Sequence, residues 1–127
     1  MRKILVIGAG RSSSSLINYL IINAKDQNWF VRVGDLDENM AQQKVKNTEF
    51  GKGFYFNVSD DNQRVDEIRE ADIVVSMLPA SMHTSVAKDC IALGKPMVTA
   101  SYISNEMNWD VNNIGVITSL ISGKTDR

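Results

Sequence analysis

Gly8-Ala9-Gly10-Arg11-Ser12-Ser13 brings together the residue types that let a backbone hold a phosphate. Glycine allows a sharp turn and a close approach to a ligand. A helix starting just after such a turn aims N–H groups that lack intrahelical partners back at it. The spacing is G-x-G-x-x-S, a variant of the dinucleotide fingerprint in which Ser13 is still small enough for close helix–strand packing. The alternative is a tight turn with no ligand. Asp35 ends the next aliphatic run, where a carboxylate can accept hydrogen bonds from an adenosine ribose. A 2′-phosphate there would meet like charge, so Asp35 favours NAD over NADP, with Arg11 on the neighbouring loop able to compensate. Asp also suits a turn into Leu36-Asp37-Glu38. His83 is the single histidine and has a pKa suited to proton transfer. With no partner evident in the sequence, it reads first as a helix-start residue. Cys90 falls on an apolar helix stripe and reads as inert core.

These residues need elements to position them. The unbroken run Ile4-Leu5-Val6-Ile7 predicts a strand buried on both faces. Leu16, Ile17, Leu20, Ile21 and Ala24 form one helix stripe ending near Ala24, and a polar loop covers residues 25–28. A second strand spans residues 29–35, less symmetrically buried because Arg32 interrupts it. A short helix over residues 38–46 turns Ala41 and Val45 inward. Gly51 and Gly53 mark a turn before a third strand at residues 54–58. Ser59-Asp60-Asp61-Asn62-Gln63 carries helix-start chemistry, with Gln63 placed to close a capping box. Val65, Ile68 and Ala71 give that helix a thin apolar face. Residues 72–79 predict a fourth strand ended by Pro79. Ser81 suits the cap of the next helix, which Gly94 and Pro96 stop. Residues 97–100 predict a fifth strand and residues 115–121 a sixth, before a frayed tail at 122–127.

Strands alternating with helices in this way predict an α/β fold: a doubly wound parallel sheet of five to six strands with helices on both faces. Its ligand crevice lies at the carboxyl ends of the strands. By position, Asn57 and Val58 border an adenine, and Ser76, Met77 and Leu78 run past the pyrophosphate and nicotinamide ribose.

Composition sets the outer bounds. A chain of 127 residues, 43% of them hydrophobic, suits one globular domain with a real core. A net charge of −1 gives no electrostatic case for nucleic acid or an anionic membrane. One cysteine and one histidine provide neither an internal disulfide nor a metal cluster, so a reducing, cytoplasmic setting is expected. The apolar run after Met1-Arg2-Lys3 stops at glycine after four residues, too short for a signal peptide or a membrane span.

Ile4 to Gly10, then Asp72-Ile73-Val74-Val75-Ser76-Met77-Leu78-Pro79 with His83, then Val98-Thr99-Ala100-Ser101-Tyr102-Ile103-Ser104, resemble the N-terminal Rossmann domain of the saccharopine dehydrogenase (saccharopine reductase) family over about residues 3 to 107. The resemblance implies NAD(P)-dependent hydride transfer at the secondary amine of saccharopine, in lysine metabolism. It implies a dinucleotide loop of Gly8, Gly10, Arg11, Ser12 and Ser13. Asp35 and Leu36 then lie on the adenosine ribose side, Asn57 and Val58 at the adenine, and Ser76, Met77 and Leu78 at the pyrophosphate and nicotinamide. Ser101 and Tyr102 would contact the amino-acid substrate.

Family members continue into a substrate and dimerisation domain, whereas this chain runs on as Asn108-Trp109-Asp110-Val111 and ends at Arg127. The expectation is a Rossmann domain over residues 1–121, either an excised domain or an incomplete gene product. It would bind NAD, or NADP, without turning over saccharopine alone, and could form a homodimer. The alternative function is a stand-alone nucleotide-sensing module, against which the "SMLP" and "ASYIS" segments count.

Overall fold

A computed structural model describes residues 1–10, 13–46 and 48–99. Five strands form one parallel sheet in the order β3-β2-β1-β4-β5. They are β1 (Arg2–Ile7), β2 (Trp29–Asp35), β3 (Gly51–Tyr55), β4 (Ile73–Ser76) and β5 (Met97–Thr99). The helices are α1 (Ser14–Ile22), α2 (Ala24–Gln27), α3 (Glu38–Lys44), α4 (Asp61–Glu70) and α5 (His83–Leu93). The predicted sixth strand and the tail lie outside the described residues. Among the described residues, no helix is long and apolar enough to cross a membrane.

The aliphatic run of β1 places it at the centre, paired with β2 on one side and β4 on the other. Its side chains alternate between two cores. Ile4 and Val6 pack with Leu16, Ile17 and Leu20 of α1 and with Ala41 of α3. Leu5 and Ile7 pack on the opposite face with Ile68 of α4 and with Val86 and Cys90 of α5. The chain reverses direction across the sheet between β1 and β4, which opens a crevice at their carboxyl ends.

β2 alternates between buried and half-buried residues, as its interrupting arginine predicts. Arg32 donates to both carboxylate oxygens of Glu67 at 3.1 and 3.0 Å and lies over the Phe54 ring. The helix stop after α5 also holds. Gly94 is left-handed, with φ of 68°, and Lys95 N–H donates to the Cys90 carbonyl at 2.8 Å.

Several elements depart from the sequence reading. α1 ends at Ile22, and the expected polar loop contains the short helix α2, closed by Asn28 at φ of 60°. β3 begins at Gly51 and ends at Tyr55, so the two glycines lie within the strand rather than in a turn before it. The reason is the closeness of α3: a Cβ on Gly53 would sit 2.3 Å from the Ala41 carbonyl carbon. α3 itself stops at Lys44, with Ala41 and Val45 inward as expected. β4 ends at Ser76, three residues early. Ser81 lies in a 3-10 turn, Ala80–Met82, and α5 is capped by Met82 without a side-chain bond.

Candidate dinucleotide site

The turn after β1 is built by its own backbone. Gly8 has φ of 104°, a left-handed value that favours glycine, and a Cβ there would also press on the Met77 backbone at 3.3 Å. Gly8 N–H donates to the Gly34 carbonyl at 2.8 Å, and Met77 N–H donates to Ile7 at 2.8 Å. Gly10 differs: among the described residues nothing lies within 4 Å of where its Cβ would be. Its lack of a side chain leaves that space clear of the described residues.

α1 rises directly from this turn. Its cap residue, Ser13, is fully buried and spends its hydroxyl on the Gly10 carbonyl at 2.7 Å, so its side chain does not cap the first N–H groups. The first turn of α1 carries no acid, whereas α3 and α4 begin with Glu38 and Asp61 behind aspartate caps. An open helix N-terminus beneath clear space fits an anion such as a pyrophosphate.

Asp35 performs the turn role that the sequence left open to it, together with a structural one that the sequence did not anticipate. Its Oδ1 accepts from Asp37 N–H at 2.8 Å, which forms the turn into α3. Its Oδ2 accepts from Ala9 N–H at 2.7 Å, which holds the glycine turn against the end of β2. The carboxylate is thus fixed at the junction of the turn and the crevice. Each oxygen keeps a second lone pair for a ligand donor.

Beside it lies a cavity of about 160 Å³ lined by Ile7, Gly34, Asp35, Leu36, Phe56, Val58, Leu78 and Met82. It brings together Asp35, Leu36, Val58 and Leu78 from the sequence reading, an apolar slot with one carboxylate at its edge. Ile7, Gly34, Phe56 and Met82 were not foreseen. Gly34 carried a signal, because a glycine inside a strand pattern marks a close approach. A Cβ there would fall 2.6 Å from that of Phe56.

Three expected residues are not among those that line this cavity. Asn57 shapes the strap between β3 and α4: its side-chain oxygen accepts from Ser59 N–H at 3.0 Å, and its own N–H donates to Gln63 Oε1 at 2.9 Å. Gln63 is therefore not closing a capping box, and its amide donates instead to the Tyr55 carbonyl. Ser76 is buried against His83, with its hydroxyl 2.8 Å from Nδ1. Met77 packs into the α1 core and backs the turn. Arg11, Ser12, Ser101 and Tyr102 lie outside the described residues.

Comparison with known proteins agrees with this geometry. Residues 4–114 match the family described as the saccharopine dehydrogenase NADP binding domain. The alpha-aminoadipic semialdehyde synthase of Mus musculus is 32% identical across 91% of this chain. The saccharopine dehydrogenase [NADP(+), L-glutamate-forming] of Saccharomyces cerevisiae is 29% identical across 81%. The chain spans 12% and 22% of the lengths of those two proteins. The apo structure of the L-Glu-forming saccharopine dehydrogenase from Saccharomyces cerevisiae superimposes with a TM-score of 0.72 at 27% identity, covering 84% of this chain and 23% of its own. None of these findings supports the preference for NAD read from Asp35; the cofactor named for the family and for the yeast enzyme is NADP.

Proposed function

The chain belongs to the saccharopine dehydrogenase NADP-binding domain family, and from that premise we propose that it holds a nicotinamide dinucleotide across the carboxyl ends of β1, β2 and β4. The observation that carries the proposal is the open N-terminus of α1, which stands next to an apolar cavity edged by Asp35. The pyrophosphate lies over Gly10 and the first turn of α1, and the adenine enters the slot between Val58, Leu36 and Leu78. Bound there, the dinucleotide supplies a nicotinamide ring that accepts or donates hydride. The chain's own residues bind and orient it.

The reaction served is hydride transfer at the secondary amine of saccharopine, with substrate groups held outside this cavity. Supporting residues are Ser101 and Tyr102, which the family resemblance assigns to the amino-acid substrate. Hydride transfer needs cofactor and substrate in one fixed geometry, so the chain binds cofactor without turning over saccharopine by itself.

Between the two cofactors, this chain's residues favour NAD. Asp35 is a fixed carboxylate, and Asp37 and Glu38 follow it. A 2′-phosphate placed among them meets like charge, which costs several kcal/mol. Fluorescence titration with NADH and NADPH tests both levels. Binding of NADH at least tenfold tighter supports the reading. Equal or tighter NADPH binding overturns the preference and leaves the site standing. Tight ATP binding with no dinucleotide binding overturns the site assignment in favour of a nucleotide sensor. Saccharopine-dependent NADH formation by the chain alone would overturn the claim of binding without turnover.

A further inference from the structure

Arg64 is a charged side chain only 7% exposed, on a helix whose buried face sequence alone assigns to aliphatic residues. Its guanidinium reaches three ways. Nη1 donates to the Val58 carbonyl at 2.6 Å, Nη2 to Asp61 Oδ1 at 2.9 Å and Nε to Asp89 Oδ2 at 2.5 Å. Burial works to lower its pKa, but the hydrogen bonds and charges of Asp89 and Asp61 outweigh it, and the group titrates above its usual value. The cation is permanent.

Two of its partners belong to elements that contribute to one cavity. Val58 lies on the strap between β3 and α4, one wall of the 160 Å³ slot. Asp89 lies on α5, whose cap residue Met82 also lines that slot. At this end of α4 and α5 a second cavity of about 380 Å³ opens between them, lined by Ser59, Asp61, Arg64, Thr84 and Ser85 and sharing Val58 and Met82 with the first. Other strap groups bond to β2, to α4 or within the strap: Phe56 N–H to the Asp35 carbonyl, Asn57 N–H to Gln63, Ser59 N–H to Asn57 and Asp60 N–H to the Asn57 carbonyl. Arg64 carries the strap across to α5.

We propose that Arg64 is a positioning residue for the adenine end of the ligand, setting the width of the slot by tying Val58 to α5 through Asp89. The inference rests on the dinucleotide reading given above. It assigns a binding role to a residue that touches no part of the ligand. A backbone carbonyl bonded to a fixed cation cannot rotate toward the slot, and a helix anchored at Asp89 holds the cap residue Met82 at its place in the lining.

The test uses the 127-residue chain and the variants Arg64→Met and Asp89→Asn, each checked by circular dichroism to be folded at the assay temperature. Affinities are measured for AMP and NADH by calorimetry and for nicotinamide mononucleotide by NMR at the Gly10 amide. The expected result for Arg64→Met is roughly tenfold weaker binding of AMP and NADH, as for the loss of one hydrogen-bonded contact, with nicotinamide mononucleotide unchanged. Asp89→Asn keeps the Val58 bond and loosens the anchor, so it shifts the same two affinities by a smaller factor. It carries the test if Arg64→Met does not fold. Wild-type AMP affinity in the folded variants overturns the proposal, and so does equal weakening of all three ligands, which marks a general structural role. If the unaltered chain binds neither AMP nor NADH, the dinucleotide reading itself fails and this inference falls with it.

Discussion

The hydroxyl of Ser76 and Nδ1 of His83 lie 2.8 Å apart and join the last residue of β4 to the first of α5. Ser76 is fully buried, and among the described residues the second ring nitrogen, Nε2, is buried without a hydrogen-bond partner. Desolvation by that burial holds the His83 pKa below its ordinary value. The neutral imidazole belongs to the fold.

Stability therefore depends on pH in a definite direction. As pH falls through about 6.5, the unfolded histidine takes up a proton that the native one still refuses. The unfolded state then binds more protons, and stability declines until the lower native pKa is passed. Above about 6.5 that contribution is complete. Urea denaturation at stepped pH should show His83→Gln losing this component of the acid dependence. An unchanged slope in the variant would remove His83 from the account.

Asp35→Asn should weaken NADH binding by roughly 10- to 100-fold, the worth of a charge-assisted hydrogen bond. The substitution loosens the carboxylate's hold on Ala9 N–H and removes the charge facing a 2′-phosphate. The NADH to NADPH affinity ratio should fall together with NADH affinity, which a fluorescence titration of both cofactors reads directly.

Gly53→Ala and Gly10→Ala should behave oppositely. At Gly53 the new methyl meets the Ala41 and Gln42 backbone at 2.3 to 2.4 Å. No side chain there can rotate away, so α3 must shift, at a cost of about 3 kcal/mol, the upper end for overpacking. At Gly10 the methyl meets nothing among the described residues, and stability should change by less than about 0.5 kcal/mol. Dinucleotide affinity should nevertheless drop. Chemical denaturation and ligand titration of the pair separate packing from clearance.

Cys90, the chain's only cysteine, is buried, and desolvation together with the Asp89 charge pushes its thiol to about 11. With almost no thiolate at pH 8 and no solvent access, it should resist iodoacetamide in the native protein. Labelling should rise in parallel with the loss of ellipticity in urea. Fast labelling without denaturant would show that the α5 face opens locally.

The elements that the sequence predicted well are those whose signal is local. Ile4 to Ile7 form a buried strand because every residue is aliphatic, and Gly94 with Pro96 ends α5 through backbone conformation alone. Asp35 was singled out because its place at a strand end is visible in one dimension. The misses have a different origin. Gly51 and Gly53 read as turn residues because glycine weakens strands in general, and only the proximity of α3 explains why this strand needs them. Arg64 breaks an otherwise polar or aliphatic pattern in no visible way, since its burial depends on Asp89, which lies on the next helix. The bond that the Asn57 side-chain oxygen accepts from Ser59 N–H belongs to a local turn that spacing does not specify. The His83 pairing depends on how a short turn folds back on β4, and spacing does not specify that fold.

The two cores on either side of the sheet give the candidate site a division of labour. Ala9, Leu16 and Met77, which support the phosphate turn, belong to the α1 face, while Ile7 and Phe56 of the base slot belong to the α4–α5 face. The halves meet through backbone bonds, Gly8 N–H to Gly34 and Met77 N–H to Ile7, and through the carboxylate of Asp35. With the dinucleotide placed as proposed, substitutions that drift on one face retune the grip on the base and leave the grip on the diphosphate as it was. The two ends of a dinucleotide are thus open to separate adjustment over evolutionary time, with Asp35 as the joint that neither half can change alone.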